Sequence, residues 1–227
     1  GSKQYGKGAT PILPDYLTPT GAFAGDPNTD PSTYNIVSNQ ITKANKAGTN
    51  WYDEITRHAP TQSHNISMSG GSDKSSYLFS LGYLNQQGIA VNSYLKRYSV
   101  RANTVFNVKD NIRVGENAYI FYKINPIFGN QSEGSPFTTA FRESPIIPVY
   151  DIAGNFAGTK SQDLGNSQNP YANVFRTANN KNNDWNVSGN IFAEVDFLKH
   201  FTVRTSFGGA FDNYYYYNFN YTAYENA

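Results

Sequence analysis

Between residues 64 and 219 apolar and polar side chains alternate with a period of two in six separate segments. Only an extended chain sends successive side chains to opposite faces, so the pattern demands β-strands. It is cleanest in 184–197, where Trp185, Val187, Ile191, Ala193, Val195 and Phe197 oppose Asp184, Asn186, Ser188, Asn190, Glu194 and Asp196. In 201–219, Phe201, Val203, Phe207, Phe211, Tyr215, Tyr217 and Phe219 oppose Thr202, Arg204, Ser206, Gly208 and Asp212. In 96–106, Tyr98, Val100, Ala102, Thr104 and Phe106 face away from Arg97, Ser99, Arg101 and Asn103. The segments 64–70, 76–85 and 112–124 repeat the theme, with Leu78 on a polar face and Glu116 on an apolar one as exceptions.

Soluble sandwiches alternate too, but three features favour the wall of a membrane barrel. Several segments reach the roughly 9–11 residues a membrane-crossing strand needs, whereas ordinary strands average about 5–6. The connections are uneven: 70–75, 107–111 and 198–200 are short, 86–95 is intermediate, and 125–183 runs to about 60 residues, matching the short turns and long outer loops of such barrels. The polar face carries small residues and charges rather than a second apolar layer, and Tyr94, Tyr98, Tyr122, Trp185 and Tyr214 to Tyr217 gather near strand ends, as interfacial girdles do. Charged residues make up 15% of the chain against about 25% in soluble domains. A formal net charge of +1 gives no polyelectrolyte signal for nucleic acid, and the absence of Cys excludes a disulfide scaffold and thiolate metal sites. No apolar run is long enough for a transmembrane helix, and no signal peptide opens the sequence. The reading is all-β, an antiparallel up-and-down transmembrane β-barrel. Six strands cannot close one, since known examples start at about 8, so the chain is expected to be part of something larger. The alternative is a soluble β-rich carbohydrate-binding module.

Ordered motifs sharpen this. Thr49-Asn50-Trp51-Tyr52-Asp53-Glu54-Ile55-Thr56-Arg57 is followed by Ala59-Pro60-Thr61-Gln62-Ser63-His64-Asn65-Ile66-Ser67-Met68-Ser69-Gly70-Gly71. Then come Tyr77 to Tyr83, Gln87-Gly88-Ile89, Lys96 to Asn103, Val114 to Asn117, Ser144 to Asp151 with Gly154, Asn169-Pro170 and 190–207. Over about 49–210 the chain resembles the SusC/RagA family of TonB-linked outer membrane proteins. The resemblance implies six strands of a roughly 22-stranded barrel, a fragment lacking the plug domain. It implies an importer of oligosaccharides or peptides in the bacterial outer membrane, surrounded by outer-membrane lipid, partnered by a SusD-like lipoprotein and driven by TonB through an N-terminal part not in this sequence. It implies no enzyme and no cofactor. Residues 1–63 are then an irregular link and first extracellular loop region, and 64–227 a partial barrel with a long extracellular loop at 125–183.

Candidate site residues fall into two groups. Arg97, Arg101, Arg113, Glu194, Asp196, Arg204 and Asp212 project to the expected lumen, where they either meet plug or substrate or simply face water. In the long loop, Phe137, Phe141, Arg142, Tyr171, Phe175 and Arg176 offer aromatic platforms and guanidinium forks for substrate or lid, or pack within the loop. One short helix is expected at 136–144, from Ser135-Pro136 to before Pro145. No nucleophile meets a base, so no catalytic residue is assigned. His58 and His64 lack a carboxylate companion, and Asp53 and Glu54 beside Arg57 read as structural. Asp26-Pro27-Asn28-Thr29-Asp30 opens like a calcium loop, but Pro31 and Val37 replace the Gly and Glu such a loop requires, leaving a surface turn and no metal site.

Overall fold

The computed structural model describes residues 13–20, 29–126, 134–160 and 164–226. Its elements are β1 (Tyr16–Leu17), a 3₁₀ turn at Pro31–Thr33, β2 (Thr42–Lys43), α1 (Trp51–Ile55), β3 (Thr61–Ser72), β4 (Ser75–Gln87), β5 (Tyr94–Lys109), β6 (Ile112–Pro126), α2 (Pro136–Arg142), α3 (Pro170–Arg176), β7 (Lys181–Phe197) and β8 (Phe201–Tyr217). The six long strands form one antiparallel sheet in chain order, β3-β4-β5-β6-β7-β8. The barrel is not closed within this chain, and β3 and β8 are its open edges.

All six alternating segments become strands, most of them longer than periodicity alone marks. Neutral polar residues such as Thr61, Gln62 and Ser63 continue the ladder once a partner strand supplies the hydrogen bonds, Thr61 pairing with Gln86. The last segment is the exception: it ends at Tyr217 rather than 219. The long connection correspondingly runs from 127 to 180 rather than 125 to 183.

The register fixes the faces, because directly paired residues share one. Met68, Phe79, Ala102, Ala118, Gly189 and Gly209 form one continuous row on the apolar face. Tyr98, Tyr122, Trp185 and Asn213 form another. The Tyr122 and Trp185 rings stack with centroids 4.5 Å apart. Glu116 does lie on the apolar face, and its cross-strand neighbour Thr104 donates its hydroxyl to the carboxylate. The intruding acid is therefore hydrogen-bonded in place.

Tight turns join β3 to β4, β5 to β6 and β7 to β8 at one end of the sheet. Everything else gathers at the opposite end. The described residues of 13–60, 134–180 and 218–226 build a second unit there, and Leu17, Trp51, Ile55, Ala140, Ile147, Val149, Ala157 and Val174 share its core. Sequence spacing hides this assembly, which depends on long-range pairings. Trp51 Nε1 donates to Ser144 O at 3.2 Å, Thr49 Oγ1 to Ile147 O at 2.7 Å, and Gln40 Nε2 to Phe156 O at 2.8 Å. Asp53 and Glu54 sit in the first turn of α1, where they complement the helix dipole. Asp26, Pro27 and Asn28 lie outside the described residues, while Asp30 caps the 3₁₀ turn through Ser32 N–H.

The long connection holds two helices, not one. α2 is capped by Ser135, whose Oγ accepts from Thr138 N–H, and it stops at Arg142, two residues short of the expected end. Glu143 is already extended, with φ −71° and ψ 137°. α3 is capped by Asn169 with Pro170 at its first position, a start signal plainly present in the sequence.

Candidate functional site

Two surfaces carry the candidate residues. On the polar face of the sheet, Arg113, Glu194 and Arg204 are direct cross-strand neighbours. Arg113 Nε donates to Glu194 Oε2 at 2.8 Å, Arg113 Nη2 to Asp196 Oδ1 at 2.9 Å, and Arg204 Nη1 to Glu194 Oε1 at 3.0 Å. Thr202 adds its hydroxyl to Asp196. Two cations and two anions thus close on themselves beside the short turns. Arg97 and Arg101 lie farther along the same face. Arg101 stands 5.3 Å over the Tyr119 ring. Arg97 has Lys123 as its register partner, and Lys123 is bridged to Asp184 at 2.8 Å. Asp212 accepts from Asn186 Nδ2 at 2.6 Å. All seven proposed charges therefore share one face, as network, cation–π pair and amide contact rather than as one site. The face also carries aromatic rings that periodicity had not singled out: Arg204 lies 4.0 Å over Phe192, and Tyr119 and Phe121 flank Arg101 and Lys123. Only register, not alternation, reveals these rings as cation platforms.

The loop residues divide into two groups. Phe137 stacks on Tyr52 of α1, centroids 6.4 Å apart, and packs against the core. Phe141 and Arg142 are on the outer surface of α2. From α3, Tyr171 and Phe175 lie 6.3 and 5.5 Å from Phe156, and Tyr150 closes on Tyr171 at 6.2 Å. Arg176 sits between the rings of Phe156 and Tyr224, 5.2 and 5.1 Å away, while its two terminal nitrogens donate to Glu225 at 2.7 and 2.9 Å. Phe156, Tyr171, Phe175, Arg176, Tyr221 and Tyr224 line a cleft of about 510 Å³. Its ring faces are available to a ligand, but its guanidinium is already engaged.

The loop unit holds its shape through buried amides and acids. Asn169 Nδ2 donates to Val149 O and Ala157 O at 3.0 and 2.7 Å, and its Oδ1 accepts from Ala172 N–H. Asp151 accepts from Tyr34, Gln40 and the backbone of Ala153 and Asn155. Burial, with the Asp151 carboxylate as acceptor, pushes the Tyr34 phenol up to about 12. Among the histidines, His64 stacks on Tyr83 with centroids 6.1 Å apart, a packing contact. Among the described residues no cluster of three or more His, Cys, Asp or Glu is placed to hold a metal.

No family model matches the chain. Two TonB-dependent receptors of Formosa agariphila are 27% identical over 203 residues and 26% identical over 174 residues, covering 87% and 74% of this chain. The TonB-dependent receptor SusC of Bacteroides thetaiotaomicron is 26% identical over 197 residues, covering 73% of it. These matches cover 18%, 17% and 18% of the relatives, so the chain spans less than a fifth of their length. Among solved structures, the RagAB peptide importer in its open-open state aligns with a TM-score of 0.60 at 24% identity, over 81% of this chain and 20% of that one. A second structure, of the RagAB peptide transporter, aligns with a TM-score of 0.55 at 27% identity, over 71% and 18%. The six-stranded sheet with its loop unit is thus similar to a stretch of TonB-dependent receptor barrel. Within that class the similarity is to the SusC/RagA type. The relatives are named as receptors and importers, not enzymes.

Proposed function

We propose that this segment is the early barrel wall and outer loop unit of an energised importer of oligosaccharides or peptides in the bacterial outer membrane, working with a SusD-like lipoprotein. The observation that carries the reading is the division of the molecule: a sheet with an exposed apolar face, tight turns at one end, and a folded loop unit at the other. In this reading lipid covers the apolar face, and the charged face of Arg97, Arg101, Arg113, Glu194, Asp196, Arg204 and Asp212 looks into the lumen. The turns lie in the periplasm and the loop unit outside the cell. TonB acts through the N-terminal plug that the family resemblance implies. Substrate or lid meets the aromatic surface of Phe137, Phe141, Arg142, Tyr171, Phe175 and Arg176.

The test uses the intact parent protein. It should extract only in detergent and migrate faster in gels unheated than boiled. Deleting 136–178 and joining the strands should preserve that heat-dependent shift while abolishing uptake or lid binding, because ordering so long a loop must be compensated by contacts. Replacing 107–111 by another tight turn should change neither. Normal uptake and lid binding after the loop deletion would refute the assignment of recognition to this unit. Recovery of this chain as a folded monomer in detergent-free buffer would favour the soluble carbohydrate-binding alternative.

A further inference from the structure

Glu143 follows α2, and its backbone N–H donates to Thr139 O at 2.8 Å. That bond turns the side chain inward: it is 4% exposed, and neither carboxylate oxygen receives a hydrogen bond. A buried carboxylate without donors is strongly disfavoured as the anion. Its charged neighbour makes matters worse. Glu225, 1% exposed, arrives from the segment after β8 and takes both hydrogen bonds of Arg176. Glu225 and Arg176 cancel, so an ionised Glu143 adds one uncompensated negative charge next to another carboxylate.

The remaining charged groups on elements packed against α2 do not relieve it. Asp53 and Glu54 of α1, and α2's own Arg142, are exposed on the outside. Ser167 lies beside the carboxyl, with its hydroxyl donated to Thr139 O at 3.1 Å. A single added proton removes the charge. The residues after β8 depend on this corner. Glu225 is pressed on Gly158, where a Cβ would come within 2.4 Å of its carbonyl oxygen, and Tyr224 Oη accepts from Phe156 N–H at 3.0 Å. Tyr224 lines one side of the aromatic cleft beside Arg176, the residue that Glu225 holds.

We propose that Glu143 is a protonation-controlled latch: neutral, it lets Glu225 seat on Arg176 and hold Tyr224 over the cleft, and ionised, it expels the 224–226 segment. Burial pushes the carboxyl up to about 8, and the Glu225 charge adds to the rise. The sign follows. An acid that holds its proton more tightly when folded contributes stability that is full below its ordinary 4.5 and lost as pH rises through about 8. The cleft is therefore closed at neutral pH and opens in alkali.

The latch rests on the loop-unit geometry, and only its consequence for uptake rests on the proposed importer role. Backbone hydrogen exchange of 134–160 and 218–226 in the intact receptor, corrected for the chemical exchange rate, separates the two. Between pH 6 and pH 9.5 wild-type protection should fall by at least about tenfold. E143Q, which cannot ionise, should hold its protection throughout, and E143D, which can, should restore the dependence. The heat-dependent gel shift reports that each variant still has its barrel. Matching pH profiles for wild type and E143Q, or loss of the dependence in both variants, would overturn the latch. So would wild-type protection that follows added calcium at fixed pH, which would assign the orphaned oxygens to a cation. Exchange that behaves as expected with unaltered uptake would retain the latch and reject its role in transport.

Discussion

The sheet and the loop unit are stabilised in opposite ways. Among the described residues, every buried hydrophobic side chain lies outside the six long strands. The strands instead display Ile66, Ile191, Phe207 and Phe211 at 73%, 63%, 80% and 64% exposure. An apolar surface on that scale is untenable in water, and the open edges of β3 and β8 add unpaired ladders. The loop unit shows the reverse, with Ile41, Ile55 and Ile147 fully buried. Its buried polar side chains are hydrogen-bonded, save the Glu143 carboxylate and Asn226 Oδ1. One part of the chain leaves its apolar face uncovered and the other carries its own core. This is why the relatives' barrel context matters to the first and hardly to the second.

The largest expected effect tests whether the loop unit stands alone. Arg176→Met leaves Glu225 buried beside Glu143 without its cation. Removing one partner of a buried pair costs about 3–5 kcal/mol, here drawn from the loop unit only. Hydrogen exchange of 164–180 should rise sharply while the strands stay protected and the heat-dependent gel shift survives. Adding Glu225→Gln to that variant should recover most of the loss. Simultaneous loss of strand protection would show that the two regions fold as one, and the comparison would fail.

A smaller effect tests the two faces of the sheet. Val187 lies between Ile120 and Phe211 on the apolar face, with no carboxylate beside it. Val187→Arg should cost about 2–4 kcal/mol if this face meets lipid near the midplane. Asn190→Arg, next to Asn117 on the polar face, should cost much less. Ile191→Arg should fall between them, because its cross-strand neighbour is Glu116. Unfolding of the parent protein from bilayers by denaturant measures all three. Equal costs at 187 and 190 would reject the assignment of faces, since a slip of one residue exchanges them.

The same division explains what was legible in the sequence. Strands announce themselves by local alternation, so all six segments and their chain-order pairing could be read directly. Strand ends could not, because Thr61 to Ser63 or Asn182 and Asn183 become strand only through their partners. Glu116 registered as a flaw until the register placed Thr104 opposite it. The loop unit depends on contacts such as Arg176 with Glu225, 49 residues apart, and Tyr34 with Asp151, 117 apart. No periodicity encodes such pairs. The second helix was different: Asn169-Pro170 is a local capping signal that a closer reading would have found. Glu143 carried no signal at all, since nothing local distinguishes a buried carboxylate from a solvated one.

The smallest effect concerns the turn end. Leu198 and Lys199 both have positive φ, 50° and 63°, in the connection between β7 and β8. L-residues with a Cβ are strained in that conformation, whereas Asn and Gly adopt it readily. The double substitution Leu198→Asn with Lys199→Gly should therefore stabilise the parent by roughly 1 kcal/mol. The same pair of side chains introduced at Asp73 and Lys74, where neither residue has positive φ, should bring no gain. Denaturant midpoints with unchanged slopes measure the difference. Because these turns lie at the end of the sheet opposite the loop unit, neither change should alter uptake or exchange of 134–160. A turn substitution that loosened the loop unit would mean strain travels the length of the strands, and the two regions would have to be treated as coupled.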